Sequence, residues 1–410
     1  MLEINYFAQT DFRGEKKIFG IKREDRRLHM YIVGRTGMGK TTLLLNMILN
    51  DVYGEEGLCF LDPHGDAVDK LLDYIPSFRV KDTIYFDPTE YPIPFNILGE
   101  IEPERKHLLV SNLISIFRKL YGEHWQHRQE HILRNCLLAL LESDEPRTLL
   151  DLYKLLSDRN YRNKVVREVK DPIVRSFWQN EFPKYLYQFK GEALVPLQNK
   201  LGAFLTVPLV RKILCEKESR LNFRDVMDQG KILLVNLAKG KLGEDICSFL
   251  GSLIVIKFQL ASLSRIDIPE EKRKDFYLYL DEFQNFVVPE TFEHILSEAR
   301  KYRLCLILAH QYIGQLNESL RKAIFGNVGT IIAFPVGPEN GEFLEKEFYS
   351  VFRRQDLIAH DRHHIYLKLA IDGKTSKPFS AYSLPPFYKF ELQRSRGKII
   401  SLSKERDCHS

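Results

Sequence analysis

Hydrophobic residues in this chain follow two spacings. Short unbroken apolar runs occupy 28–33 (LHMYIV), 58–61, 83–86, 232–237, 276–280, 304–308 and 330–334. Runs this short, bounded by glycine, proline or aspartate, predict strands buried on both faces. Stretches with helical periodicity lie between them: 40 to about 50, 243–264, and a segment through Leu296-Ser-Glu-Ala-Arg300. Strands alternating with helices predict an α/β fold with a mostly parallel sheet and crossover helices.

The alternation stops after Pro94. From about 104 to 221 the periodicity is helical throughout, with Leu109, Leu113, Ile116, Phe117 and Leu120 on one face. The pattern continues over 132–141 and 148–156, and Asp171-Pro172 reads as an N-cap followed by proline at the first helical position. An all-α domain inserted into a RecA-like core follows. The expected domains are 1–102 (core, with the glycine-rich loop), 103–225 (all-α insertion), 226–388 (core) and 389–410 (a flexible basic tail). No internal repeat is visible.

Composition adds little. The 410 residues are 44% hydrophobic and 28% charged, and 60 basic against 55 acidic side chains leave a net charge of +5. That balance does not mark a nucleic-acid binder, so any such surface must be a local patch or be built by assembly. Six scattered cysteines without a C-x-x-C pair suit reduced thiols. The N-terminus lacks the apolar core of a secretory signal, and the longest apolar stretch, 246–256, is shorter than a bilayer span. The expectation is a soluble, cytoplasmic chain.

Chemistry enters at residues 34–41, Gly-Arg-Thr-Gly-Met-Gly-Lys-Thr, a complete G-x-x-x-x-G-K-[ST] between a strand and a helix. Glycines let successive amides point at phosphate oxygens, and the helix from Lys40 aims its positive end at the same anion. Gly34, Arg35, Thr36, Gly37, Met38, Gly39, Lys40, Thr41 and Thr42 are the candidate nucleotide-binding residues. Lys40 would reach the β- and γ-phosphates and Thr41 would offer its hydroxyl to Mg²⁺.

A second site ends the run FYLYL at Asp281-Glu282. Carboxylates at the carboxyl end of a buried parallel strand stand where such sheets bind ligands. Asp281 suits Mg²⁺ and Glu282 the attacking water. A guanine-selective motif is missing: Asn199-Lys200-Leu201-Gly202 lacks the aspartate, which favours ATP. Gln311, just beyond the strand 304–308, is the candidate sensor of the γ-phosphate.

In order, GRTGMGKT, FLDPHGD, IYFDP with PIPFNIL, YLDEFQNF, ILSEARKYRLCLILAHQ and GNVGT resemble the HerA/FtsK superfamily. Within it they are most similar to the TraD/TraG-type conjugative DNA-transfer ATPases, the coupling proteins of type IV secretion systems. The resemblance runs over about 19–386. It implies a homo-hexameric motor that draws DNA through a ring and hydrolyses ATP between subunits. It also implies an all-α domain facing a relaxase or channel partner. Such proteins carry N-terminal membrane helices, and these 410 residues show none. Two other readings share the catalytic core: a HerA-like repair or defence translocase, and a secretion ATPase or nucleotide switch that never grips DNA.

Weaker signals complete the picture. Arg300, with Lys301 and Arg303, ends a helix before the sensor strand; Arg300 is the candidate arginine finger for a neighbouring subunit, against a plain helix-end cation. Lys239 and Lys241 flank Gly240 in a turn that a ring would place at its pore, or that is simply solvated. His124, His127 and His131 share a helical face without a completing ligand, which suits a polar surface better than a metal. Asp62 and His64 either brace the nucleotide site or shape a turn.

Overall fold

The computed structural model describes residues 3–11, 15–99, 101–188, 194–359 and 361–408. The strands are β1 (Ile4–Thr10), β2 (Ile18–Lys22), β3 (Met30–Val33), β4 (Gly57–Asp62), β5 (Thr83–Phe86), β6 (Ile232–Asn236), β7 (Phe276–Leu280), β8 (Leu304–His310), β9 (Thr330–Ala333), β10 (His364–Lys368), a two-strand hairpin β11 (Ala370–Ile371) and β12 (Lys374–Thr375), and β13 (Phe379–Ser383). Eleven of them form one sheet in the order β2-β1-β13-β10-β9-β3-β8-β7-β4-β6-β5. From β9 to β5 the strands are parallel, and every residue of β3 to β9 is buried. The unbroken apolar runs are thus explained by helices covering both faces.

Beyond β9 the sheet turns antiparallel through β10, β13, β1 and β2. The hydrophobic pattern did not predict these four strands. β1 and β13 have mixed burial, and β2 buries only Ile21. Their sequences therefore lack the apolar continuity that marks the central strands.

The chain divides into two compact units. The first holds the sheet and comprises residues up to Asp87, Phe223–Cys247 and Ala261–Glu405. The second includes Pro88–Asn222 and Ser248–Leu260. It thus takes in residues before 103 and the middle of the helix Glu244–Ser264, which the sequence reading assigned to the core. Within it Leu109, Leu113, Ile116 and Phe117 are buried, and Leu120 is half-buried. Asp171 Oδ1 accepts the amides of Ile173 and Val174, at 2.8 and 3.0 Å, so the aspartate caps the helix that Pro172 opens.

Glu244–Asp267 is long and apolar enough to cross a membrane, but 83% of its most apolar window is buried within the protein. The helix is longer than the apolar stretch that flagged it, and its burial makes it a core helix. The C-terminal segment also departs from expectation. In place of a flexible tail, residues Arg396–Cys408 form a helix. Ser395 Oγ donates to Ile75 O at 2.7 Å, and Ser403 Oγ accepts the Tyr85 amide at 3.1 Å. That second bond satisfies a donor on the outer strand β5, whose edge would otherwise stand open. Residues 409–410 of that expectation lie outside the described residues.

Candidate active site

The parallel order places three strands side by side, β3, β8 and β7. The glycine-rich loop leaves β3, Gln311 follows β8, and Asp281-Glu282 follow β7. With β8 inserted between the other two, their carboxyl ends must bring loop, glutamine and carboxylates together. They do so through a chain of contacts. Thr36 Oγ1 donates to Gln311 Oε1 at 3.0 Å, and Gln311 Nε2 donates to Glu282 Oε1. Thr41 Oγ1 donates to Asp281 Oδ2 at 3.3 Å.

The loop has the backbone its glycines allow. Gly37 and Gly39 have φ of 79° and 120°, in the region that favours glycine. A Cβ on Gly39 would lie 2.8 Å from the His363 ring, and one on Gly34 would lie 2.4 Å from Phe334 Cβ. Both glycines are thus also required for close packing. Among the described residues, no backbone acceptor takes the amides of Gly37, Gly39, Lys40 or Thr41. These converging donors at the start of the helix Lys40–Tyr53 suit an anion of phosphate size. Lys40 Nζ rests on the carbonyls of Gly34 and Arg35, at 2.6 and 3.1 Å. Burial lowers its pKa, with Asp281 and Glu282 opposing. Arg35 is tied to Val336 O and Ile358 O at 2.8 and 2.9 Å, which anchors the loop rather than the ligand. Met38 O accepts the His363 amide, and Thr42 continues the helix.

Opposite the loop, carboxylates crowd. Asp281 is buried, and its pKa is pushed up to about 6, by burial first and then by Asp62, with Glu282 adding and Lys40 opposing. Glu282 has φ of 48°, a left-handed conformation uncommon in a non-glycine residue. It also accepts from Asn285 Nδ2 at 3.4 Å and lies 3.3 Å from His64 Nε2. Asp62 gives its oxygens to the amides of His64, Ala67 and Val68, at 2.9, 2.8 and 3.2 Å. Of that pair, then, Asp62 shapes the turn and the following helix start, while His64 touches the glutamate.

The remaining candidates lie elsewhere. Arg300 is exposed beyond the helix Pro289–Glu298, at the amino-terminal end of β8, and makes no ion pair among the described residues. It cannot complete the site of its own chain. Arg303 is held near Glu270 and Asp275, at 3.6 and 4.0 Å. Lys239 pairs with Glu244 at 2.9 Å in the short helix Lys239–Leu242. His131 meets Glu181 at 3.2 Å, and among the described residues no group of three or more ligating side chains is arranged to hold a metal ion.

Sequence reasoning missed Arg362 and His363. Arg362 Nη2 lies 3.9 Å from where a Cβ on Gly37 would stand. Both residues precede β10, a strand without a legible pattern, and no motif flags them.

Fold and site define the class: a RecA-like α/β protein carrying a P-loop, with its ligand-facing loops at the carboxyl ends of a parallel sheet. The chain belongs to the family described as the type IV secretion-system coupling protein DNA-binding domain, which matches residues 17–340. It is 24% identical over 322 residues to the type 4 coupling protein DotL of Legionella pneumophila subsp. pneumophila (strain Philadelphia 1), a match covering 67% of this chain. The chain spans 40% of the length of that curated relative. It resembles the solved bacterial conjugative coupling protein TrwBdeltaN70 in its unbound form, with TM-score 0.66, 16% identity, and coverage of 94% of this chain and 90% of that one. TrwB in complex with ADP and Mg²⁺ gives TM-score 0.65 at 15% identity, covering 96% and 97%. VirB4 of Thermoanaerobacter pseudethanolicus gives 0.62 at 14%, covering 94% and 97%. At these identities the structural likeness is one of fold.

Proposed function

We propose that this chain hydrolyses ATP with Mg²⁺ and uses the energy to move DNA through a ring of identical subunits, as the motor part of a coupling protein. The observation that carries the catalytic half is the bridge from Thr36 through Gln311 to Glu282, beside Lys40 and the Thr41–Asp281 pair. The loop amides and Lys40 would hold the phosphates, and Thr41 and Asp281 the metal. Mg²⁺ would neutralise charge on the phosphates. Glu282 would take the proton of the attacking water. Gln311 touches both loop and base, so loss of the γ-phosphate on one side would be felt on the other. Arg362 would add positive charge within the same subunit, and Arg300 would serve a neighbour's site.

Family membership and the TrwB structures with ADP and Mg²⁺ and with an ATP analogue support the nucleotide reading. The DNA reading rests on the family description. A secretion ATPase indifferent to DNA stays the second reading, because the same loop, carboxylates and glutamine would serve it equally.

The test is hydrolysis by the purified chain with and without DNA, at low and moderate salt. Salt-sensitive stimulation by DNA is expected, since phosphate contacts release counterions. Lys40→Ala should abolish turnover, and Glu282→Gln should lower it by about 10²–10⁴ while nucleotide still binds. Arg300→Ala should be slow alone and partly rescued by mixing with Glu282→Gln subunits. Turnover indifferent to DNA would sink the translocase and leave the ATPase. Full activity in Arg300→Ala would remove the finger.

A further inference from the structure

We propose that a groove in the second unit, between the helix Arg159–Glu168 and the π-turn Phe177–Glu181, is a docking site for an acidic peptide segment of a protein partner. The cavity there measures about 780 Å³, and among the described residues no acidic side chain lines it. One wall carries Arg159, Arg162 and Arg167; the floor and lip carry Trp178, Phe182 and Tyr187.

The cations are available. Arg159 and Arg167 are exposed, and their side chains make no hydrogen bond or ion pair among the described residues. Arg162 is fixed between them: its Nη1 donates to Leu155 O and Leu156 O at 3.1 and 3.4 Å, and its guanidinium lies 4.9 Å from the Phe182 ring centre. The carboxylates of the neighbouring chain are engaged elsewhere. Asp158 Oδ1 caps the helix by accepting the amides of Asn160 and Tyr161, Glu168 pairs with Arg147 at 2.8 Å, and Glu181 meets His131 at 3.2 Å. Nothing among them neutralises the wall.

The floor supplies an independent sign. Trp178 is only 5% exposed and packs on Phe177 and Phe182, with ring centres 5.2 and 4.7 Å away. Its indole nitrogen is buried without a hydrogen-bond partner. A buried donor left so costs stability, which marks this stretch of helix as locally strained. The helix locally widens here, with the Phe182 amide donating to Phe177 O five residues back. Such π-turns recur at functional positions within helices.

Cations on the wall and apolar rings beneath them fit carboxylates carried on a partly apolar segment. Arginine binds carboxylate through a planar fork, and a buried aromatic floor gives such a contact its anchor. A single-stranded nucleic acid fits less well, because bases stack on open aromatic faces. Here Trp178 and Phe182 are buried, and of the lining aromatics Tyr187 alone, 88% exposed, stands open.

The test uses the full chain with a short fluorescein-labelled peptide of alternating glutamate and leucine. Its glutamine counterpart and a labelled oligothymidylate are the comparisons. The acidic peptide should bind, weaken with salt, and lose about tenfold or more in affinity in Arg159→Glu/Arg167→Glu, because each reversal turns a charge-assisted contact into repulsion. Arg159→Lys/Arg167→Lys, which keeps the charge, should retain most of the binding. In a Trp125→Phe background Trp178 is the sole tryptophan, since the chain has two, and its emission should change on binding. Equal binding of the glutamine peptide, indifference to charge reversal, no binding, or preferential capture of the oligonucleotide would each overturn the proposal. ATP hydrolysis by the same preparation separates a failure here from a failure of the motor reading.

Discussion

The two ends of the same parallel strands treat buried charge in opposite ways. At the amino-terminal ends it is closed on itself. Arg26, 2% exposed, gives Nη1 and Nη2 to Asp51 at 2.5 and 2.7 Å and lies 3.5 Å from the Tyr277 ring centre, while Tyr279 Oη donates to Asp51 at 2.5 Å. Asp275 accepts from Arg23 at 3.1 Å and twice from Arg27 at 2.9 Å. At the carboxyl ends Lys40 rests on carbonyls without an ion pair among the described residues, and buried Asp281 is repelled by two further carboxyl groups, Asp62 and Glu282. Desolvation is costly at both ends, and ion pairing offsets most of it at only one. The difference teaches that the fold neutralises its own charge at one end and leaves it open at the other. The end left unmatched is the one where Mg²⁺ and a polyphosphate would supply the missing balance.

The comparison breaks most visibly at Arg26. Arg26→Met leaves Asp51 buried and uncompensated, which should cost about 3–5 kcal/mol. Arg26→Met/Asp51→Leu removes both charges and should recover most of that loss. Denaturant midpoints measure both variants, and a single variant no worse than the double one would show that the pair is not matched after all. The opposite sign is expected at the other end. Asp281→Asn relieves like-charge crowding and should stabilise the nucleotide-free, Mg²⁺-free protein by on the order of 1–3 kcal/mol. It should also abolish any further stabilisation by Mg²⁺-nucleotide. A lower melting temperature for this variant would mean that Asp281 is held by Thr41 and the Glu282 amide more strongly than the acids repel it.

Much of the open end was legible in the sequence, because its chemistry is local. Gly34 to Thr41 lie consecutively, and Asp281-Glu282 directly follow an apolar run. Seven parallel strands announced themselves by unbroken hydrophobicity for the same reason. The closed end was not legible: Arg26 meets Asp51 and Tyr279 only once β3 and β7 are placed with a strand between them. β1, β2 and β13 have mixed burial, and β10 is a short run closed by His364 and Lys368, so none shows, and Arg362 and His363 at the loop went unseen with them. Asp62 illustrates the middle case. Its position was found, but only the amides of Ala67 and Val68 reveal that it caps a helix.

The smallest expected effect asks how complete the closed end is. Glu56 Oε2 lies 2.9 Å from Arg23, yet Oε1 is buried without a partner. Burial pushes the Glu56 pKa from 4.5 up to about 7; Arg23 opposes this, and Asp51 and Asp275 reinforce it. Ion pair and pKa thus point in different directions, and burial wins because Arg23 is shared with Asp275. The folded chain therefore binds a proton more tightly than the unfolded one between pH 4.5 and 7, so this group's contribution to stability falls as pH rises through that window. Glu56→Gln lacks this loss. The variant should resemble the parent near about pH 5 and melt roughly 2 °C higher near about pH 8, a modest shift because Arg23 offsets part of the cost of burial. Paired melting curves at the two pH values decide it. A difference that stays constant across them would mean that Arg23 keeps Glu56 ionised throughout, and the amino-terminal end would then be charge-matched to its last carboxylate.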